Sequence, residues 1–150
     1  MGLIQAFLIS LTPIGELRAG IPYGILSGLN PFLVYIVCVA ANLIIFPIGF
    51  LFLETMHTSL NKMNWYRTKF EKIEERSRDK INKAVIKWGY FGLLIFVAIP
   101  FPLTGAYTAA IGAWTVKLEF KKALLMASIG VLISGVIVTT ATLTGVHFFT

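Results

Sequence analysis

The chain has 150 residues, 57% of them hydrophobic and only 13% charged, with a formal net charge of +6. Soluble domains carry about 25% charged residues, so a water-facing globule is excluded. So too is a soluble scaffold presenting the basic excess to nucleic acid. Nine of the thirteen basic residues and four of the seven acidic ones fall within 62–87, the pattern of bilayer segments with one wet connector.

Four apolar stretches follow one another at 3–29, 31–53, 88–114 and 123–149. Each is long enough for a helix to cross the hydrocarbon core, which takes about 20 residues. The first is interrupted by Pro13, Glu16, Arg18, Gly20 and Pro22, and the third by Pro100, Pro102 and Gly105. Proline removes a backbone donor and clashes with the preceding turn, so each of these two stretches predicts a pair of half-helices around an irregular apex. A half-helix over 3–11 rises only about 15 Å, half a bilayer. Stretches two and four predict continuous spans, the second kinked at Pro47.

Charge decides whether the broken stretches cross. Residues 62–87 are basic, and so is the loop holding Lys117, Lys121 and Lys122. The positive-inside rule puts both on the cytoplasmic side, which a re-entrant hairpin over stretch three satisfies and a full span does not. The same rule puts stretch one on the outer side. At an offset of 88 residues Gly24 falls on Gly112, Phe32 on Phe120 and Leu43-Ile44 on Val131-Leu132. The order of broken and continuous segments also repeats. The fold expected is an all-α membrane protein of two inverted repeats, each a re-entrant helical hairpin followed by a transmembrane helix. The expected boundaries are 1–54 for the first repeat, 55–87 for a cytoplasmic amphipathic linker and 88–150 for the second repeat, in a single multi-pass domain of the cell membrane.

In the linker Leu60, Met63, Tyr66, Phe70, Ile73, Ile81, Ala84 and Trp88 recur mostly three or four apart, a helical stripe. A basic amphipathic helix of this kind lies in the membrane interface or packs on a partner subunit. Cys38 is the only cysteine, so no intramolecular disulfide forms. The N-terminus has no basic region of a secretory signal, and the whole chain is expected to be mature.

Glu16 and Arg18 carry the most functional information. An ionisable side chain at mid-membrane depth costs about 2.5 kcal/mol or more unless it is paired or hydrated. Two opposite charges bracketed by Pro13 and Pro22 predict an apex facing a cavity. Arg18 would grip an anionic substrate group, and Glu16 would hold Arg18 in the empty site or exchange a proton. The bland reading is an ion pair that only stabilises the hairpin. The second apex offers hydroxyls from Thr104, Tyr107 and Thr108, which bind substrate or the backbone carbonyls freed at Pro100, Pro102 and Gly105. Asn42 is expected to bond between helices, and Gly130, Ser134 and Gly135 to let helices approach closely. The sequence contains no H-E-x-x-H and no G-x-S-x-G, and His57 and His147, near segment ends, are not expected to form a metal cluster with any acidic neighbour. No enzymatic activity, cofactor or metal is expected.

The stretches Glu16-Leu-Arg18-Ala-Gly-Ile-Pro22 and Ile99-Pro-Phe-Pro-Leu-Thr-Gly-Ala-Tyr-Thr108 resemble the two signature regions of the small multidrug export protein family. That family is similar, more distantly, to the DedA-type membrane proteins with paired re-entrant hairpins. The resemblance implies a small transporter or flippase moving amphipathic anions or lipid-linked phosphates past the hairpin apices. The alternative is a membrane scaffold that organises or thins the bilayer without transport. Two hairpins and two spans are few helices with which to seal a pathway, so the expected partners are membrane lipids, the substrate and a second copy of the chain in a homodimer. Nucleic acid is not among them.

Overall fold

The computed structural model describes residues 2–60, 88–101 and 105–149. Of the expected linker, 61–87 lie outside them, as do Pro102 and Thr104, while its first residues, 55–60, continue the helix that begins at Pro31. Six helices are seen among the described residues: α1 (Gly2–Ser10), α2 (Glu16–Leu26), α3 (Pro31–Leu60), α4 (Trp88–Ala98), α5 (Ala106–Thr115) and α6 (Phe120–Phe149).

The long helices are α3 and α6, of 30 residues each, or about 45 Å. Asn30 caps α3, its Oδ1 accepting from the N–H groups of Phe32 and Leu33 at 2.9 and 3.4 Å, which satisfies two of the donors orphaned at a helix start. Pro47 stays inside α3 without ending it. The segments Pro31–Met56 and Phe120–Phe148 are long and apolar enough to cross a membrane, and less than half of each is buried. Their outward faces are apolar too, with Phe32, Ile48, Phe52, Leu125 and Val136 all more than half exposed. A helix apolar on its outer as well as its inner face is a helix for lipid. The two run antiparallel. Phe50 of α3 meets Phe120 at the start of α6, ring centroids 5.1 Å apart, whereas Tyr35, a few turns earlier, donates to the Leu132 carbonyl at 3.2 Å. Gly135 lets Tyr35 and Val39 approach to where its own side chain would stand, and Gly130 does the same for Val97 of α4.

The short helices form two hairpins. In the first, Thr12 closes the end of α1 by donating to the Ile9 carbonyl and accepting from the Gly15 N–H, and α2 then returns alongside α1, with Tyr23 donating to Gln5 at 2.8 Å. Gly2 lies against Leu29, so the hairpin begins and ends at the same end of α3. Its turn reaches Asn42, whose Nδ2 donates to the Ser10 carbonyl at 3.3 Å; Asn42 stands near the middle of Pro31–Met56. The second hairpin behaves likewise at the other end. Tyr90 at the start of α4 accepts from the Glu119 N–H, beside the start of α6. Both returning helices end in the same motif. The N–H of Leu29 bonds the Gly24 carbonyl and that of Leu118 the Ala113 carbonyl, with Gly28 and Lys117 in the left-handed conformation between, as Schellman caps require.

One expectation is corrected. Pro22 is not part of the apex; it lies inside α2, and the break covers 11–15. The missing proline N–H frees only the carbonyl four residues back, and packing of Leu17, Ile21 and Ile25 into the core keeps the helix continuous through it.

Candidate functional site

The turns of the two hairpins meet. Glu16 is the first residue of α2, is 5% exposed, and has a backbone φ of +46°. That left-handed conformation is costly for a residue with a side chain, and what it accomplishes lies on the other hairpin. The Glu16 carboxylate reaches the N-terminus of α5, where Oε1 accepts from the Tyr107 N–H at 3.4 Å. A Cβ on Gly105 would fall on that carboxylate, so glycine at the N-cap is what makes the seat. The bond is long, but a carboxylate at the positive end of a helix dipole is favoured by charge as well.

Arg18 engages the other broken end. Nη1 donates to the Phe101 carbonyl, and Nη2 to the Ile99 carbonyl at 3.4 Å. These carbonyls follow the C-terminus of α4, where a cation complements the negative end of the dipole. Glu16 and Arg18 also face each other, Oε2 to Nη1, at 4.0 Å. The contact is loose. The two charges spend most of their bonding on the second hairpin, each at the helix end of opposite sign.

Tyr107 completes the junction in the reverse direction, its hydroxyl donating to the Leu11 carbonyl at 2.6 Å, just past the end of α1. Of the residues expected at the site, Glu16, Arg18 and Tyr107 therefore come together with Gly105. Thr108 is half-buried on the next position of α5, while Pro13 and Pro100 lie within the two breaks between helices. Beside Tyr107 and Leu11 an apolar cavity of about 420 Å³ opens between α3 and α5.

The meeting of both motifs at one charged junction is the decisive feature. Residues 16–137 match the family described as putative small multi-drug export protein. The chain belongs to this family. No curated protein and no solved structure matches it. The region matched to the export family begins at Glu16, directly after the first turn, and takes in the second turn and most of α6, so Glu16, Arg18, Gly105 and Tyr107 all lie within the matched part. Together with the two apolar helices, this identifies a membrane protein of the export family.

Sequence reasoning missed that Glu16 and Arg18 cap the second hairpin, that Gly105 is the seat of a carboxylate, and that a groove lies beside Tyr107. A signal for the first was present: one apex carries both charges, the other carries none and is rich in backbone freed by proline. Among the described residues no group of His, Cys, Asp and Glu could hold a metal ion.

Proposed function

We propose that this protein is a small exporter built from two inverted repeats, which passes an amphipathic anion through the junction of its two re-entrant hairpins. The repeat reading is supported by the helix boundaries. At the offset of 88 residues, Ser10 at the end of α1 corresponds to Ala98 at the end of α4, and α3 and α6 begin one residue out of register. The buried faces correspond as well: Val39 with Ala127, Asn42 with Gly130, Phe46 with Ser134 and Phe50 with Val138, while Ile44 and Leu132 are both exposed. Antiparallel α3 and α6, with hairpins inserted from opposite ends, give the plan in which secondary transporters bind substrate between half-helices near the midplane.

The observation that carries the function is the carboxylate of Glu16 resting on the N-terminus of α5 with Arg18 beside it. A half-helix N-terminus and a guanidinium are what an anion needs at this depth, and the anion now held there belongs to the protein. A substrate anion enters by exchanging with Glu16, and Glu16 returns when the substrate leaves, so the site is never an uncompensated charge in hydrocarbon. The protein acts without cofactor and without covalent chemistry, as a multi-pass homodimer of the cell membrane with residues 55–87 cytoplasmic.

A second reading is favoured by a specific feature: Arg18 on the Ile99 and Phe101 carbonyls and Tyr107 on Leu11 are bonds that would hold a static scaffold together. Transport in reconstituted vesicles decides between them. A folded double variant, Glu16→Gln with Arg18→Gln, should lose anion export. Normal export by that variant would reduce the pair to a clasp between hairpins.

A further inference from the structure

The cavity beside the junction is lined by Leu11, Ile44, Ile48, Phe52, Tyr107 and Ile111 among other apolar residues, and its volume of about 420 Å³ falls within the range of ligand sites. It is open sideways, since Ile48 and Phe52 of α3 and Ile111 of α5 are half exposed or more. These α3 residues lie within Pro31–Met56, so the opening faces hydrocarbon and its occupant comes from the bilayer. Along α3 the lining runs from Ile44 to Leu53, a rise of about 13.5 Å, close to half of the ~30 Å hydrocarbon core. The groove is thus the length of one leaflet, with its inner end at the hairpin junction. Tyr107 stands at that end and belongs to both features: its side chain lines the groove, and its N–H holds the Glu16 carboxylate.

We infer that the groove seats the hydrocarbon chain of a single-chain amphiphilic carboxylate, whose head takes the place of the Glu16 carboxylate on the N-terminus of α5. This names the substrate class for the export reading above and rests on it. The head is assigned by what already sits there. The space left by Gly105 is filled by a carboxylate, a backbone N–H donates to it, and Arg18 lies 4.0 Å away. The tail is assigned by a lining that offers no polar group to a more hydrated molecule, for which each unmatched polar atom would be costly.

The test is photo-crosslinking of the full chain in neutral phospholipid nanodiscs, with a diazirine-bearing hexadecanoate and the matching hexadecanol as uncharged probe. Adducts of the carboxylate should concentrate on Ile44, Ile48 and Ile111, and spare Leu132 and Val136, the corresponding exposed positions of the other repeat. Ile111→Trp fills the groove and should cut these adducts about tenfold, as shape mismatches in apolar pockets do. Glu16→Ala vacates the head seat and should raise labelling by the carboxylate but not by the alcohol. Equal labelling of Leu132 and Val136, equal labelling by the two probes, or a cross-link between two chains across the groove each overturns the inference. Uniform labelling alongside export that still needs Arg18 removes the tail seat and leaves the export reading standing. Focused labelling alongside normal export by Arg18→Gln removes the export reading and with it the substrate assignment.

Discussion

The carboxylate of Glu16 and the backbone N–H of Tyr107, 91 residues apart in sequence, meet at 3.4 Å where the turns of the two hairpins touch. Because Arg18, two residues on, bonds the carbonyls beyond α4, one hairpin supplies both charges and the other both helix ends. The junction is therefore asymmetric in chemistry.

This asymmetry makes the pair non-additive. Arg18→Gln leaves Glu16 buried without its counter-charge, a change that typically costs about 3–5 kcal/mol. Glu16→Gln removes the opposite charge facing Arg18, which keeps its bonds to the Phe101 and Ile99 carbonyls. The double variant should be more stable than either single one, because no charge is left buried alone. Thermal unfolding of the four proteins in one detergent, treated as a double-mutant cycle, checks this; equal losses that simply add would show that the two residues do not share a site.

Gly105→Ala places a methyl group on the Glu16 carboxylate. Overpacking of this sort costs about 1–3 kcal/mol, and the hairpins must part to relieve it. The expected signature is suppression: the same substitution made together with Glu16→Ala should cost far less, since the group it strikes is gone. A full penalty in the Glu16→Ala background would place the clash elsewhere.

Gly24 and Gly112 stand 88 residues apart, the offset of the proposed repeat, but differ in their surroundings. A Cβ at Gly24 would stand 2.6 Å from Val34, whereas one at Gly112 meets nothing within 4 Å. Gly24→Ala should therefore destabilise by forcing α2 off α3. Gly112→Ala should be neutral or stabilising, by up to about 1 kcal/mol from helix propensity. Comparing the unfolding midpoints of the two variants reads this directly, and a loss at Gly112 as large as that at Gly24 would contradict the difference in packing.

Topology is testable from the ends of the long helices. With Cys38 replaced, single cysteines at Met56 and Val116 should react with an impermeant maleimide only from the cytoplasm, and those at Asn30 and His147 only from outside. Labelling of Met56 and Val116 from opposite faces would make the segment of α4 and α5 a full crossing and end the inverted-repeat reading.

Much of this was decided along the chain. Apolar runs of more than twenty residues are sufficient to make α3 and α6, because lipid leaves the backbone no partner outside its own helix. Pro13 and Pro100 mark the two turns, because a missing N–H and a ring clash act on the residues immediately before them. Pro22, of the same residue type, leaves α2 unbroken, since burial of Leu17, Ile21 and Ile25 outweighs the loss of one bond. The roles of Glu16 and Arg18 were legible only in part. Their cost at mid-depth announced a junction, but nothing within ten residues of them says which helix ends they cap. Those partners lie 81 to 91 residues away and are backbone groups, which every residue but proline's N–H supplies alike and which leave no mark in the order of side chains. Only the folded packing of one hairpin against the other selects the Tyr107 N–H and the Ile99 and Phe101 carbonyls, and only that packing opens the groove beside them.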